Sequence, residues 1–321
     1  MLSNKSKFAV LGLLITMLVV SLTAGCSKKN SETPGIRIAA LPILDSLPMY
    51  VAEKEGLFEK HGVNVELIPV TSAPERDQLL AAGEADGAVN ELVSVLFFNR
   101  NEVKLQVVRY ARTATQTTPV FRILASSASN IEALDDLKGI EIGVSQGTLI
   151  EYITDRLLEN EGFTDNDIKI VSVPSIPNRL ALLTSGDLKA AMLPDPLASL
   201  AIQQGAKVII DDSSHPFFGY SVISFRKETI DAAPVAVKDF LAAIEDAVKL
   251  INQNPDKWNP LLTEYKLVPK PLLSSFHIPP FPEAGVPTKE QWQDVVDWTQ
   301  AKGLIDNNPV YQDSVNRNLL P

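Results

Sequence analysis

Leu79-Leu80-Ala81-Ala82-Gly83-Glu84-Ala85-Asp86-Gly87-Ala88 is matched in kind by Leu182-Leu183-Thr184-Ser185-Gly186-Asp187-Leu188-Lys189-Ala190-Ala191, 103 residues later. Each copy reads as the end of a helix, a glycine that stops it, an acidic residue and the start of a small-residue strand. Two copies at a fixed offset predict a duplicated α/β topology.

Working outward from the first copy, apolar runs at 36–41, 63–70, 87–89 and 105–110 predict strands, with helices over 48–54, 75–82 and 92–98 between them. Around the second copy, 121–125, 140–144, 168–173, 190–193, 207–210 and 220–225 predict strands. Helices are expected there over 132–137, 148–160, 177–183 and 196–204, and Thr148 with Glu151 has capping-box spacing. Strands that alternate with helical segments argue for βαβ units and parallel sheet. Beyond residue 225 the character changes. A long amphipathic helix is expected over 237–252 and a closing helix over 291–302. The proline-rich stretch 268–287 cannot be regular, since proline fixes φ and removes a donor. Its Leu272, Leu273, Phe276, Ile278 and Phe281 are too apolar for a free linker, so it is expected to wrap over the first domain.

The N-terminus gives an address. Lys5 and Lys7 precede an uncharged run from Phe8 to Leu22, which is too short to span a bilayer and fits a signal peptide. It ends in Leu22-Thr23-Ala24-Gly25-Cys26, which resembles a lipobox, so residues 1–25 are expected to be removed and Cys26 to carry a diacylglycerol. Residues 26–35 would then be a flexible tether to the extracytoplasmic face of the membrane. Cys26 is the only cysteine of the 321 residues, which excludes a disulfide, a cysteine metal site and a catalytic thiol. The formal charge is −10, with the charges scattered, and no basic cluster suits nucleic acid.

Three ordered stretches carry a resemblance. They are Leu47-Pro48-Met49-Tyr50-Val51-Ala52-Glu53-Lys54-Glu55-Gly56-Leu57-Phe58-Glu59-Lys60, then Asp136-Leu137-Lys138-Gly139-Ile140-Glu141-Ile142-Gly143-Val144 with Gly147-Thr148, then Leu182 to Pro196. Together, over roughly 36–225, they resemble the solute-binding proteins of the nitrate, sulfonate, taurine and thiamin-pyrimidine ABC importers, the NMT1/THI5-like group. The resemblance implies a two-lobed periplasmic-binding-protein-like fold (type II), two parallel-rich sheets joined by two crossing strands. Phe121–Ala125 and Tyr220–Phe225 are the natural crossing strands. One lobe would be 36–119 plus 217–321 and the other 120–216, closing by hinge bending on a solute. It further implies a monomer that delivers a small organic solute (sulfonate, taurine-like or pyrimidine-like) to an ABC permease and ATPase. A sensor without transport and a pyrimidine-synthase-like enzyme are the alternatives.

In such a fold the ligand lies outside the carboxyl ends of the strands. That rule selects Asp45, Ser46, Thr71, Asn90, Glu91, Arg112, Ser145, Gln146, Gly147, Thr148 and Asp195 as candidate ligand-binding residues. Ser145–Thr148 opens a helix whose free N–H groups suit an acceptor or anion. Arg112 is the one base on these loops, against Asp45, Glu91 and Asp195. Carboxylates in a dry cleft repel a simple oxyanion, so a neutral or zwitterionic ligand is expected, with one carboxylate at its donor end. No catalytic residue, metal ligand or cofactor is expected. His61, His215 and His277 lack metal-ligand spacing, and no phosphate loop, dinucleotide fingerprint or nucleophile elbow occurs.

Overall fold

The computed structural model describes residues 35–321, so the expected signal peptide over 1–25 and the expected lipidation site Cys26 lie outside the described residues. Ten strands are present among them: β1 (Ile36–Ala40), β2 (Val65–Pro69), β3 (Gly87–Asn90), β4 (Leu105–Thr113), β5 (Phe121–Ala125), β6 (Glu141–Val144), β7 (Lys169–Ser172), β8 (Ala190–Pro194), β9 (Lys207–Asp211) and β10 (Tyr220–Arg226). They form two five-stranded sheets, ordered β2-β1-β3-β10-β4 and β7-β6-β8-β5-β9. In each sheet three parallel strands are followed by an antiparallel one, β10 in the first and β5 in the second, which carries an edge strand on its far side; β10 returns to the first sheet after the whole of the second has been laid down. The mixed α/β fold with two sheets is therefore as the sequence predicts.

The duplication extends to side chains. The helix Ala73–Ala82 precedes β3 and the helix Ile176–Ser185 precedes β8. Ser72 caps the first by accepting from the Glu75 N–H, and Ser175 caps the second by accepting from the Asn178 N–H. Gly83 and Gly186 end them at φ 72° and 87°, a left-handed conformation that glycine adopts without strain. All three pairs keep the 103-residue offset.

The crossings differ from expectation in one respect. Phe121–Ala125 and Tyr220–Arg226 each stay within one sheet, and the passage between sheets is made by segments 114–120 and 212–219. These run side by side. The Ala114 N–H donates to the Gly219 carbonyl at 2.6 Å, and the Val120 N–H donates to Asp212 Oδ1 at 2.8 Å. Their approach leaves no room at Gly219, where a Cβ would overlap the Asp212 carboxylate and lie 2.7 Å from the Ala114 Cβ.

The C-terminal third braces this frame. The helix Pro234–Gln253 starts with proline, whose missing donor costs nothing there, and buries Phe240, Leu241, Ile244, Val248 and Ile251 on one stripe. Phe240 stacks on Phe58 at 5.6 Å and meets Phe225 edge-on at 5.4 Å. The proline-rich stretch lies against the same helix and β4. Asn252 exchanges two hydrogen bonds with the Phe281 backbone, and the Tyr110 N–H donates to the Gly285 carbonyl. The closing helix Lys289–Ala301 touches both halves. Its Gln291 accepts from the Tyr110 hydroxyl, while Asp294 accepts from Tyr152 and Arg156 on the helix Leu149–Asn160.

Candidate functional site

A cavity of about 120 Å³ opens between the carboxyl ends of the parallel strands of the two sheets. That is several times the roughly 10–15 Å³ a cavity needs to hold one water, so the space suits a small solute. Its walls are mainly apolar, with Ile43, Val120, Phe121, Leu149 and Ile176 from both halves. Of the residues selected from sequence, Asp45, Thr71, Asn90, Glu91, Ser145, Thr148 and Asp195 line it. Ser46, Arg112, Gln146 and Gly147 do not.

Each lining residue has local work. Asp45, in the turn Leu44–Ser46, accepts from the Ser221 hydroxyl at 2.6 Å and lies 3.5 Å from Arg112 Nη1. Asn90 accepts from the Glu91 N–H and donates to Ser224 Oγ. Glu91 caps the helix Leu92–Asn99 by accepting from the Ser94 N–H with both oxygens. Burial pushes its carboxyl up to about 7, with the Arg76 guanidinium at 3.6 Å opposing the rise. Asp195 accepts from Arg122 at 2.6 Å and from the Ser199 N–H and hydroxyl. Thr71 donates to Glu75. At the other wall the Ser145 carbonyl accepts from the Thr148 hydroxyl, and Thr148 caps Ile150.

The remaining selections are placed otherwise. Ser46 is buried and donates to the Leu41 carbonyl. Gln146 is exposed. The Gly147 N–H donates to Glu151 at 2.6 Å, so this amide of the helix-start loop is already satisfied. Arg112 belongs to β4 rather than to a loop, because that strand runs on to Thr113 and pairs Arg112 with Ser221 across β10.

Two residues were missed. Arg76 and Arg179 line the cavity from helices, at 2% and 0% exposure. A charge count taken from loops alone is therefore incomplete. The signal was present, because Arg76 and Arg179 keep the 103-residue offset one turn before the matched decapeptides begin. No histidine lines the cavity. His61 pairs with Asp246 and His215 with Glu161.

The family model described as NMT1/THI5 like matches residues 44–258. A putative thiamine biosynthesis protein of Haemophilus influenzae is 24% identical over 271 residues, 81% of this chain and 84% of that protein. A putative ABC transporter periplasmic binding protein of Brachyspira hyodysenteriae is 22% identical over 256 residues, 76% and 74% of the two chains. In three dimensions, the chain is similar to the periplasmic aliphatic sulphonate binding protein SsuA of Escherichia coli. That match has a TM-score of 0.74 at 20% identity, covering 89% of this chain and 98% of that one.

Proposed function

Because the chain belongs to the NMT1/THI5-like family, we propose that it is the extracytoplasmic solute-binding component of an ABC importer, handing a small organic solute to a permease and ATPase. The observation that carries the reading is the cavity itself. It is bounded by both sheets, and the chain passes between those sheets through two adjacent segments. Such a site is complete only when the halves meet, so a solute bound there favours the closed arrangement and stabilises the fold by mass action. The two bodies are 36–119 plus 217–321 and 120–216, with the closing helix lying across both. The working unit is a monomer that binds and does not transform its ligand.

Cys26 carries the lipid, and residues 26–35 tether the domain to the outer face of the membrane. Among the described residues no helix is long and apolar enough to cross a membrane. The solute class is a sulfonate, a taurine-like zwitterion or a pyrimidine-like base with an apolar body. Native mass spectrometry of the purified protein tests the reading. A small molecule retained in gentle ionisation and released on unfolding is expected. A protein that retains none, and is not stabilised by any member of a panel of these three classes, contradicts it.

A further inference from the structure

Arg76 and Arg179 are the same residue of the two repeats, and their surroundings match. Arg76 Nη1 donates to the Val89 carbonyl at 3.5 Å, and Arg179 Nε donates to the Met192 carbonyl at 2.7 Å. Val89 and Met192 also keep the 103-residue offset. The counter-ions break the symmetry. Arg76 lies 2.8 Å from Asp77 and 3.6 Å from Glu91. The equivalent positions in the second repeat hold Leu180 and Pro194, neither of which carries charge.

Arg179 is left with the carbonyls of Met192 and Val173. No carboxylate lies within ion-pair distance of it among the described residues, and its Nη2 has no hydrogen-bond partner. It is fully buried and lines the cavity. A buried guanidinium without a counter-ion is costly. Burial pulls its pKa down to about 10, which still leaves it cationic at neutral pH. The carboxylates of the cavity are not available to it. Asp45 is held by Ser221 and Arg112, Glu91 by Ser94 and Arg76, and Asp195 by Arg122 and Ser199.

We propose that Arg179 receives an oxyanion of the solute, a carboxylate, sulfonate or phosphate ester, which takes beside it the place that Glu91 takes beside Arg76. The proposal rests on the solute-binding reading and adds the ligand's charge. It favours a ligand with an anionic end over a wholly neutral one, because the carboxylates that would repel an anion are already paired. A planar guanidinium with a free Nη2 and a fixed Nε suits an oxyanion geometrically as well as by charge.

The test uses the refolded, ligand-free full chain. Its affinities are measured by calorimetry for short-chain carboxylates, sulfonates and phosphate monoesters, each against its uncharged amide or ester. At least one anion should bind more tightly than its neutral counterpart. Arg179→Gln should weaken that anion roughly tenfold to a hundredfold, the weight of one hydrogen bond to a charged group, and Arg179→Lys should weaken it less. Pro194→Glu, which supplies to Arg179 the carboxylate that Arg76 has, should abolish anion binding, whereas Pro194→Gln should not. An anion that binds no better than its neutral counterpart in the wild-type protein overturns the proposal even if the variants fail to fold. A neutral solute held equally by wild type and Arg179→Gln overturns it while leaving the solute-binding reading intact. Failure to bind any solute of either kind overturns both.

Discussion

Glu91 makes stability depend on pH in a direction opposite to that of an ordinary ion-paired carboxylate. Its ordinary pKa of 4.5 is raised to about 7, chiefly by burial at the cavity wall and only partly offset by Arg76. Between these values the folded protein holds a proton that the unfolded chain has released. Stability therefore falls as pH rises from about 4.5 to about 7 and is level above that. At 1.36 kcal/mol per pH unit the full effect is about 3 kcal/mol. Asp212, buried at the crossing and also raised to about 7, adds a contribution of the same sign. Comparing wild type with Glu91→Gln cancels that second contribution. Equilibrium urea unfolding followed by the fluorescence of buried Trp258, Trp292 and Trp298 at pH 5, 6, 7 and 8 gives the comparison. At pH 5 the folded wild type holds the neutral acid that glutamine resembles in shape and charge, so the two proteins are expected to be of similar stability there. Relative to wild type the variant should gain about 3 kcal/mol by pH 8. Parallel curves for the two proteins would refute the burial argument.

Three further outcomes follow from the sequence and the fold. Cys26→Ser should yield an unlipidated protein that folds normally and leaves the membrane fraction, and its full retention there would contradict the anchor. Gly219→Ala should destabilise by about 1–3 kcal/mol, the range for overpacking, because its Cβ overlaps Asp212 and Ala114; an unchanged melting temperature would show that the two crossings are not closely packed. Saturating solute should lower the radius of gyration in small-angle scattering, and an unchanged radius would count against closure of the two halves.

The frame of this protein is legible in its sequence for a physical reason. Parallel strands covered on both faces are continuous apolar runs, and the helices between them carry one apolar stripe, so both periods stand out. Boundaries were less visible where tertiary pairing decides them. Nothing local extends β4 to Thr113; its pairing with β10 through irregular register does, and that moves Arg112 from a loop into a strand. The cleft loops were found because topology alone selects the carboxyl ends of strands. What they do there was hidden. Glu91 turns out to cap a helix and Asp195 to accept from the Ser199 amide in a helix's first turn, and both are ion-pair partners as well as cavity walls. Arg76 and Arg179 were missed because a lone arginine in an amphipathic helix reads as a solvated residue. Only the repeat, carried back one turn from Leu79 and Leu182, marks them as a pair.

Whether one solute is held by both halves at once is read from hydrogen exchange with and without the co-purified solute. Exchange should slow at the amides of Glu91 and Ser94 in the first half together with those around Ser145–Thr148 and Ile176–Arg179 in the second, with little change on the outer faces of the sheets. Protection confined to one half, or lying away from the cavity, would contradict binding by both.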